Sequence, residues 1–371
     1  MESNYAYLTV YFSIIIGLFI ICYYIPFLNR ETIIFGIRIP VEEIKNQLVE
    51  QLKRHYKHTY MAVMIPYIIL FEVASFGLYS RLILLFGIVL QVIIAMYLYV
   101  LFNHKMMVVK NSFKEKSQEN IEQAVFIDTN FREGKYLVSV AWFIPSLIII
   151  VLSALIIAMN YDKIPSIIAT RFDAVGKAVQ FSPKTDFAVY LMQIISFVAL
   201  AMFAGIYYAI KRSKQQISSN YPEKAKQQDR RFRYIWSGYI VILSFIFTLY
   251  LAIISFKIDQ IIDFSNSFFL MLNVAFPIII LFGTIFLAIK TGQSGSRIKV
   301  HTNEPEIKLK VADDNVYWKL GLFYYNPEDP SLFIPKRMGI GWTLNFGHPV
   351  SFILLIVLVA LPFVFKLMGK H

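Results

Sequence analysis

Few residues of this chain could do chemistry, and the most conspicuous is Glu72, an acidic side chain inside a long apolar run. An ionisable group within a membrane segment is costly and is by default a functional hypothesis, here a proton relay or a site for a cationic ligand. The structural alternative is a carboxyl group that is protonated or hydrogen-bonded to a neighbouring helix. Gln91 and Gln193 lie in other apolar runs as candidate partners, and Asn273 could bind the carbonyl that Pro277 leaves free.

Motifs for other kinds of chemistry do not occur in the sequence. It contains no Walker A loop, HExxH, GxSxG or CxxC motif, so an ATPase, a zinc protease or a serine hydrolase has no support. His55 and His58 are one helical turn apart, but no third ligand accompanies them. Cys22 is the single cysteine and cannot form an intramolecular disulfide. We therefore expect a protein that is not an enzyme, with no cofactor and no metal site.

The elements that carry these residues are long apolar segments. The chain is 57% hydrophobic and 16% charged, whereas soluble domains carry about 25% charged residues. A bilayer core about 30 Å thick needs roughly 20 helical residues, and lipid accepts an apolar run of that length only as a helix or a closed barrel. Barrel strands would alternate polar and apolar residues, which these runs do not. Eight segments are long enough: 7–28, 60–79, 82–102, 137–159, 187–210, 234–256, 265–289 and 350–367.

The fold class that this pattern predicts is an all-α integral membrane protein with about eight transmembrane helices. It would carry a short extracellular cap and a small cytoplasmic aromatic unit, for which a β-hairpin is one interpretation. Residues 1–289 would form a seven-helix membrane region, which includes the extracellular loop 160–186. Residues 290–349 would form the cytoplasmic aromatic and basic unit, and residues 350–371 the last helix with a short tail.

The distribution of basic residues predicts the topology. Of the 36 Lys and Arg residues, 28 lie in loops 29–59, 103–136, 211–233 and 290–349. The positive-inside rule places these loops in the cytoplasm, so both termini are expected outside a cell membrane. The net charge of +12 is then explained by contact with anionic headgroups, and no nucleic acid is needed. The expected partner is the lipid bilayer, and a binding site for an acidic partner is the alternative for the basic loops.

Three of the loops have predictable structure. Apolar residues at helical spacing between positions 41 and 56 predict an amphipathic helix on the inner leaflet, starting at Pro40. Loops 103–136 and 211–233 are expected to be solvated helix extensions, with a turn near Pro222. Loop 160–186 is too apolar for a plain connector, so we expect it to fold back onto the outer helix ends, with a turn at 173–176 where Gly176 supplies a positive φ.

The longest cytoplasmic loop, 290–349, is rich in aromatic residues. It begins with a Gly/Ser-containing stretch at 291–296 that we expect to be flexible, and the alternation at 307–311 predicts a strand. The turn at 326–330 lies between two apolar and aromatic runs, which favours a β-hairpin. We expect this block to dock against the inner helix ends, with Lys336 and Arg337 at headgroup level. The alternative is a free segment that recruits a soluble partner.

The segment 164–176 resembles an extracytoplasmic motif of bacterial membrane proteins of the SdpI immunity type. Pro165, Ile168, Phe172, Gly176 and Lys184 match that motif, whereas Ala169, Arg171 and Asp173 stand where it has Pro, His and Asn. The role of that His therefore has no matching residue here. Candidate extracellular motif residues are Pro165, Arg171, Phe172, Asp173, Gly176 and Lys184.

Two further stretches, 32–40 and 317–349, resemble a subgroup of uncharacterised, mainly Gram-positive, membrane proteins that carry the same motif. In the second stretch the candidate cytoplasmic motif residues are Trp318, Gly321, Tyr324, Asn326, Pro327, Asp329, Pro330, Lys336, Arg337, Trp342 and Asn345. Members of the SdpI type protect cells against a secreted killing peptide and can hold a repressor at the membrane. The resemblance implies an immunity-like or envelope-stress protein that recognises a toxic peptide or lipid. The alternatives are a proton-coupled transporter using Glu72 and a sensor that sequesters a cytoplasmic regulator.

Overall fold

A computed structural model describes residues 2–78, 81–114, 136–172, 178–213, 222–301 and 314–368. The described residues are mostly helical, with small β-hairpins. The helices are α1 Glu2–Tyr24, α2 Gln47–Leu78, α3 Arg81–Lys114, α4 Ile144–Met159, α5 Asp186–Arg212, α6 Pro222–Ile258, α7 Asn266–Thr291 and α8 Pro349–Met368. The strands are β1 Ile33–Ile34, β2 Ile37–Arg38, β3 Ile167–Phe172, β4 Ala178–Pro183, β5 Trp318–Lys319, β6 Phe323–Tyr324, β7 Phe333–Pro335 and β8 Trp342–Leu344.

Helices occupy all eight segments that the hydropathy pattern singles out. Over the described residues, five are long and apolar enough to cross a bilayer: Ile83–Phe113, Val140–Met159, Asp186–Arg212, Pro222–Ile258 and Asn266–Gly295. The first helix contributes a shorter apolar portion, Tyr11–Phe27. The chain is therefore an α-helical, multi-pass membrane protein, as the sequence predicts, and eight spans stay a prediction.

The spanning helices bury small polar side chains and expose many apolar ones, in contrast to helices of soluble proteins. In α4, Ser146 and Ser153 are buried, whereas Leu152 and Met159 are exposed, Met159 by 82%. In lipid, helices gain little by hiding apolar side chains from one another, so small and polar residues at the contacts let backbones approach closely. The buried face of α6 follows the same rule, with Ser237, Ser244, Thr248 and Ser255 on one side.

The helices pack in two neighbourhoods. Helices α4, α5 and α6 contact one another in all three pairs, while α1 packs against α2, α3 and α7, and α2 packs against α3. Helix α6 also contacts α7, which joins the two neighbourhoods.

The amphipathic surface helix predicted from Pro40 is wrong in its bounds. A short turn of 3₁₀ helix covers Val41–Glu43, and α2 then begins at Gln47 and continues without a break into the apolar segment. Within the predicted face, Tyr56 is buried but Leu48 is 49% exposed. The α2 helix is set by its contacts with α1 and α3, where the Tyr56 hydroxyl donates to the Cys22 carbonyl oxygen at 3.0 Å.

The aromatic block forms two hairpins where the sequence predicts one. Strand β5 pairs with β6, and β7 pairs with β8, so the 326–330 turn connects two hairpins instead of closing one. Gly321 has a φ of +68°, which makes the tight β5–β6 turn possible. A single parallel bridge between Tyr324 and Asn345 joins the two hairpins. The predicted strand at 307–311 lies outside the described residues.

Candidate functional site

At one end of the bundle the β3–β4 hairpin closes over the ends of α4, α5 and α6, and we call this the hairpin end. Strands β3 and β4 pair in antiparallel fashion with a bulge beyond Ala169. Ile168 is fully buried and packs in one apolar cluster with Ile157, Val189 and Ile258, which belong to α4, α5 and α6. Loop 160–186 therefore folds back onto the helix ends, as its apolar composition predicts.

Lys184 anchors the hairpin to the turn that follows α4. Its Nζ donates to the carbonyl oxygens of Tyr161 at 2.6 Å and Ile164 at 3.3 Å, and it lies 4.1 Å from the centroid of the Tyr161 ring. The Tyr161 hydroxyl in turn donates to Asp186, the first residue of α5, at 2.5 Å. This hydrogen bond to Asp186 raises the pKa of the Tyr161 phenol. The motif lysine is thus a structural anchor that connects β4, α4 and α5.

The opposite face of the hairpin is apolar and open. Ile167, Val179 and Phe181 are 59%, 53% and 59% exposed, and we call these three residues the apolar hairpin face. Ile167 pairs with Pro183 and Ala169 with Phe181 in the strand register, which places Ile167 and Phe181 on one side of the two strands. Ile168 points the other way, into the bundle. The hairpin therefore presents an unusual apolar surface on a connecting segment.

Beneath the hairpin, a chain of buried polar groups crosses from α4 to the end of α6. Gln193 Nε2 donates to Ser255 Oγ at 3.0 Å and lies 3.5 Å from Ser153 Oγ. Ser255 Oγ donates to Asp259 Oδ2 at 3.1 Å. Asp259 is only 1% exposed, and burial raises its pKa to about 7. These four side chains form one connected polar cluster inside the bundle.

At the other end of the bundle the two sequence landmarks 32–40 and 317–349 meet, and we call this the basic end. A Cβ atom on Gly36 would lie 2.8 Å from the Cα of Gly321 and 2.5 Å from the Tyr99 hydroxyl oxygen, so glycine is required at this crossing. Asn315 accepts a hydrogen bond from the backbone N–H of Arg38 at 2.9 Å and donates to the Arg38 carbonyl at 3.1 Å. Residues almost 300 positions apart therefore form one unit.

Arg337 lies at the centre of this unit. Its guanidinium donates to the Gly36 carbonyl oxygen at 3.0 Å, to Asn315 and to Asp314, and lies over the ring of Trp318 at 5.1 Å. Its side chain is 2% exposed. The expectation that Arg337 sits at headgroup level is therefore wrong, because its charge is neutralised inside the protein. Lys336 is half-buried, and this burial lowers the pKa of its ammonium group.

A second polar centre holds the two hairpins of the aromatic block together. Asn345 is fully buried and donates to the carbonyl oxygens of Asn326 at 2.8 Å and Asp329 at 2.9 Å. The Tyr324 hydroxyl donates to Asp329 Oδ2 at 3.0 Å. Burial is the main reason that the pKa of Tyr324 rises to about 12. Pro327 and Pro330 of the same turn are exposed, so the turn faces away from the helices.

The block docks on the helix ends through the β8 strand and the segment before it. The Gln293 side chain donates to the Gly341 carbonyl oxygen and accepts from the Gly341 N–H, both at 2.8 Å. The Trp342 ring lies 5.7 Å from that of Phe232 on α6 and within 5.8 Å of the Arg233 guanidinium. Residues 291–295, predicted to be flexible, are a buried turn at this contact. The docking that the aromatic composition predicts is present.

A buried ion pair at the start of α6 was not predicted. Arg233 Nε lies 2.9 Å from Asp229 Oδ2, with both side chains at most 2% exposed, and Arg233 also donates to the Ile210 carbonyl oxygen at 2.6 Å. Burial lowers the pKa of the neighbouring Arg30 to about 10, an effect that Asp229 opposes. The view of 211–233 as solvated helix ends is therefore wrong for its second half, because these charges stabilise the joint between α5 and α6.

The predicted intramembrane residues fall in separate places. Gln91 donates to the Ile15 carbonyl oxygen of α1 at 3.0 Å, whereas Gln193 belongs to the α4–α5–α6 cluster. Asn273 donates to the Phe269 carbonyl oxygen at 2.8 Å and accepts from the Tyr250 hydroxyl at 2.8 Å. Its predicted bond to the carbonyl freed by Pro277 is therefore wrong. Glu72 lies within α2, and its side chain is outside the described part of the structure.

The extracellular motif residues are also only partly described. Pro165 follows the buried Ile164, and the Phe172 ring lies 5.4 Å from that of Phe269 on α7. Arg171 is in β3, but its side chain, like all of Asp173 and Gly176, is outside the described residues. Among the residues that are described, no group of three or more His, Cys, Asp or Glu side chains could hold a metal ion.

Sequence reasoning missed Asp259 because it follows the last apolar residue of its helix and reads as a loop aspartate. A signal was present: Ser237, Ser244, Thr248 and Ser255 repeat at intervals of seven and four residues, and Asp259 continues that series. The repeat places all five on one helix face. No comparable signal marks the Asp229–Arg233 pair as buried, since an aspartate and an arginine four residues apart are equally typical of an exposed helix face.

Comparison with known families gives two matches. Residues 148–197 match a family model described as Domain of unknown function (DUF1648), and residues 327–351 match one described as Family of unknown function (DUF5808). The first covers most of α4, the hairpin and the start of α5, and the second runs from Pro327 through β8 to the start of α8. No curated protein and no solved structure matches the chain. Both domains are typical of bacterial membrane proteins, and this multi-pass membrane chain contains a segment similar to each.

Proposed function

We propose that the protein is a non-enzymatic membrane protein of the immunity-like or envelope-stress type, which recognises a toxic, membrane-active peptide at the hairpin end. The observation that carries this proposal is the apolar hairpin face, Ile167, Val179 and Phe181, held in a fixed position over the helix ends. Exposed apolar patches on ordered segments are typical of sites for another protein or for lipid.

The form of the hairpin favours a peptide. Strands β3 and β4 form a two-stranded sheet in which, among the described residues, each has one edge without a strand partner. An extended peptide can add to such an edge through main-chain hydrogen bonds while its side chains contact the apolar face. Loop 160–186 carries four basic and three acidic residues, so charge does not dominate recognition. An amphipathic peptide that reaches the membrane surface matches both properties.

The resemblance of 164–176 to the motif of SdpI-type immunity proteins supports the same proposal from the sequence. The residues that match it include Ile168 and Lys184, which here bury and anchor the hairpin. On this view the shared motif specifies the hairpin scaffold. The departures at Ala169, Arg171 and Asp173 would then change which ligand is recognised, while the scaffold is kept.

The experiment is a survival assay in a deletion strain that is complemented with variants and challenged with a panel of membrane-active peptides. Phe181→Ala should lower protection at least tenfold in peptide dose, because it removes the largest side chain of the apolar hairpin face. Phe323→Ala is the matched control, since Phe323 is 51% exposed in a short hairpin at the basic end.

Equal membrane levels of both variants are needed for the comparison. Loss of protection by Phe181→Ala alone supports recognition at the hairpin end. A deletion strain as resistant as the parent to every peptide, or equal loss in both variants, would contradict the proposal. If Phe181 of the wild-type protein contacts lipid in reconstituted vesicles, and added peptide does not change this contact, the face would be assigned to lipid.

The sensor alternative is less well supported by the docked aromatic block. A segment that recruits a cytoplasmic regulator has to present its side chains, whereas Trp318, Tyr324 and Arg337 are all buried. Regulator binding through these three residues would need the block to leave the helix ends first. The transporter alternative depends on Glu72.

A further inference from the structure

The polar cluster beneath the hairpin has more acceptor oxygens than donors. Among the described residues, Asp259 Oδ1 and Gln193 Oε1 have no hydrogen-bond partner, although Asp259 is 1% and Gln193 6% exposed. Leaving one such buried acceptor unpaired costs about 1–3 kcal/mol, and more when the group is charged. A cluster with two of them, one a carboxylate oxygen, is therefore short of a positive charge or a proton.

The backbone conformation at the end of α6 places Asp259 in this position. Asp259 continues the helical hydrogen bonding of α6, with its N–H donating to the Ser255 carbonyl oxygen at 2.9 Å. Gln260 then adopts a φ of +55°, an unfavourable value for a residue with a side chain, and the chain turns away. Gln260, the next residue along the chain, is exposed.

We propose that Asp259 is a proton-binding site, in which Ser255, Gln193 and Ser153 form the polar surroundings of its carboxyl group. The carboxylate gains one proton from the aqueous phase at the hairpin end, and its charge falls from −1 to 0. Burial disfavours the charged form, while the Ser255 hydroxyl stabilises it, and the balance places the pKa of Asp259 at about 7.

The charged groups on the elements packed around Asp259 form hydrogen bonds or ion pairs with residues other than Asp259. Asp186 on α5 accepts from Tyr161, Lys184 directly after β4 binds two backbone carbonyl oxygens, and Lys257 on α6 pairs with Asp263 at 3.2 Å. Helix α4 carries no ionisable residue. Asp162 and Lys163 lie in the turn that follows it, and within the described residues Lys163 forms no ion pair with Asp259. The Arg171 side chain on β3 is outside the described residues. Within the described part, the uncharged Ser255 is the hydrogen-bond partner of Asp259.

This site does not depend on peptide recognition at the apolar hairpin face. The two are neighbours, because Ile258 and Ile168 share the buried cluster directly above Asp259. Loss or gain of the negative charge would therefore act on the residues that support the hairpin. Experiments that measure the protonation of Asp259 directly do not depend on what the hairpin binds.

The test is infrared difference spectroscopy on the purified full-length protein in lipid nanodiscs, titrated from about pH 5 to about pH 9. Wild-type protein should show a protonated-carboxyl band that disappears with a midpoint near neutral pH, and Asp259→Asn should lack it. Asp263→Asn is the matched control, because Asp263 is a fully exposed carboxylate four residues away, and it should leave the band unchanged.

A second variant tests the surroundings. Ser255→Ala removes the hydroxyl that stabilises the carboxylate, so the midpoint should move to higher pH. Thermal unfolding adds an independent readout. Because the pKa of Asp259 is raised in the folded state, the stability of wild-type protein falls as pH rises from the unfolded-state pKa to the folded-state pKa. The Tm of Asp259→Asn relative to that of wild-type protein should therefore be higher at pH 9 than at pH 5.

Three outcomes would overturn the proposal. Absence of a titrating band in wild-type protein would show a carboxylate that stays ionised. A titrating band that persists in Asp259→Asn would show that the band belongs to another group. A midpoint that moves to lower pH when sodium replaces choline would assign the cluster to a metal cation in place of a proton.

Discussion

At the residue scale, buried polar side chains of this protein are satisfied mainly by backbone carbonyl oxygens of other segments. Tyr56, Tyr60 and Gln91 all donate to carbonyls of α1, and Asn103 donates to the Phe35 carbonyl at 2.7 Å. A helical carbonyl oxygen has a second lone pair beside the one used in the helix, so it accepts such a bond without unwinding. Around α1, polar side chains therefore join helices through the backbone, whereas Gln193, Ser255 and Asp259 bond to one another.

The role of Glu72 depends on whether its side chain makes such a contact. If Glu72 relays a proton or receives a cationic ligand, Glu72→Gln should abolish activity in the survival assay, because glutamine keeps the shape but cannot ionise. Insertion and Tm should stay close to those of wild-type protein. Full activity of the Gln variant would leave Glu72 with a packing role, and Gln91→Leu would serve as the control for general loss of a buried amide.

At the element scale, long-range contacts decide which local patterns become which structures. The apolar spacing after Pro40 is compatible with a surface helix, but contacts with α1 and α3 make that stretch the start of one long helix, α2. Likewise the 326–330 turn can close a hairpin, but Asn345 binds this turn from 16 to 19 residues away, and two hairpins result. The aromatic block is held as an element by its contacts with 32–40.

Arg337→Met tests that dependence. The substitution removes charge-assisted hydrogen bonds to Asp314, Asn315 and the Gly36 carbonyl, at a cost on the order of 3 kcal/mol. The block should undock, and trypsin should cut at the exposed Lys319 several times faster than in wild-type protein in membranes. Arg231→Met removes an exposed arginine at the same end and should leave the cleavage rate unchanged. Equal rates in all three proteins would mean that Arg337 does not hold the block.

At the scale of the whole molecule, the two ends are built from different residues. The four basic loops all contribute to the basic end, through Arg38, Asn103, Arg233 and Arg337, whereas the hairpin end is made by one short connection. The charge distribution of the sequence therefore corresponds to a spatial segregation within the fold. It also predicts that the basic end faces the cytoplasm.

Cysteine labelling in a Cys22→Ser background tests this orientation. Gln180→Cys on β4 and Lys299→Cys at the basic end are both exposed positions. An impermeant thiol reagent added to intact cells should label Gln180→Cys and should reach Lys299→Cys only after the membrane is opened. The reverse pattern would invert the topology and place both termini inside.

Sequence was sufficient for what depends on local composition, and insufficient for what depends on distant partners. Helix positions, the fold-back of loop 160–186 and the docking of the aromatic block all follow from hydropathy and aromatic content. The burial of Arg337 does not, because its partners lie in other segments of the chain. The serine series of α6 indicates the helix face of Asp259, but it does not indicate that Gln193 and Ser153 of other helices lie beside it. A charged side chain has the same local sequence signature whether it meets water or a partner 301 residues away.

The contact between Arg337 and the Gly36 carbonyl spans 301 residues and has a consequence for synthesis. At about 5–20 residues per second, a ribosome needs roughly 15–60 s to go from one partner to the other. For most of that interval the nascent chain holds Gly36 and Arg38 without Arg337 and Asn315, which complete their bonding. Final closure of the basic end is therefore a late event in biogenesis, and any stalled or prematurely terminated product carries an open end that a protease can distinguish from the finished protein.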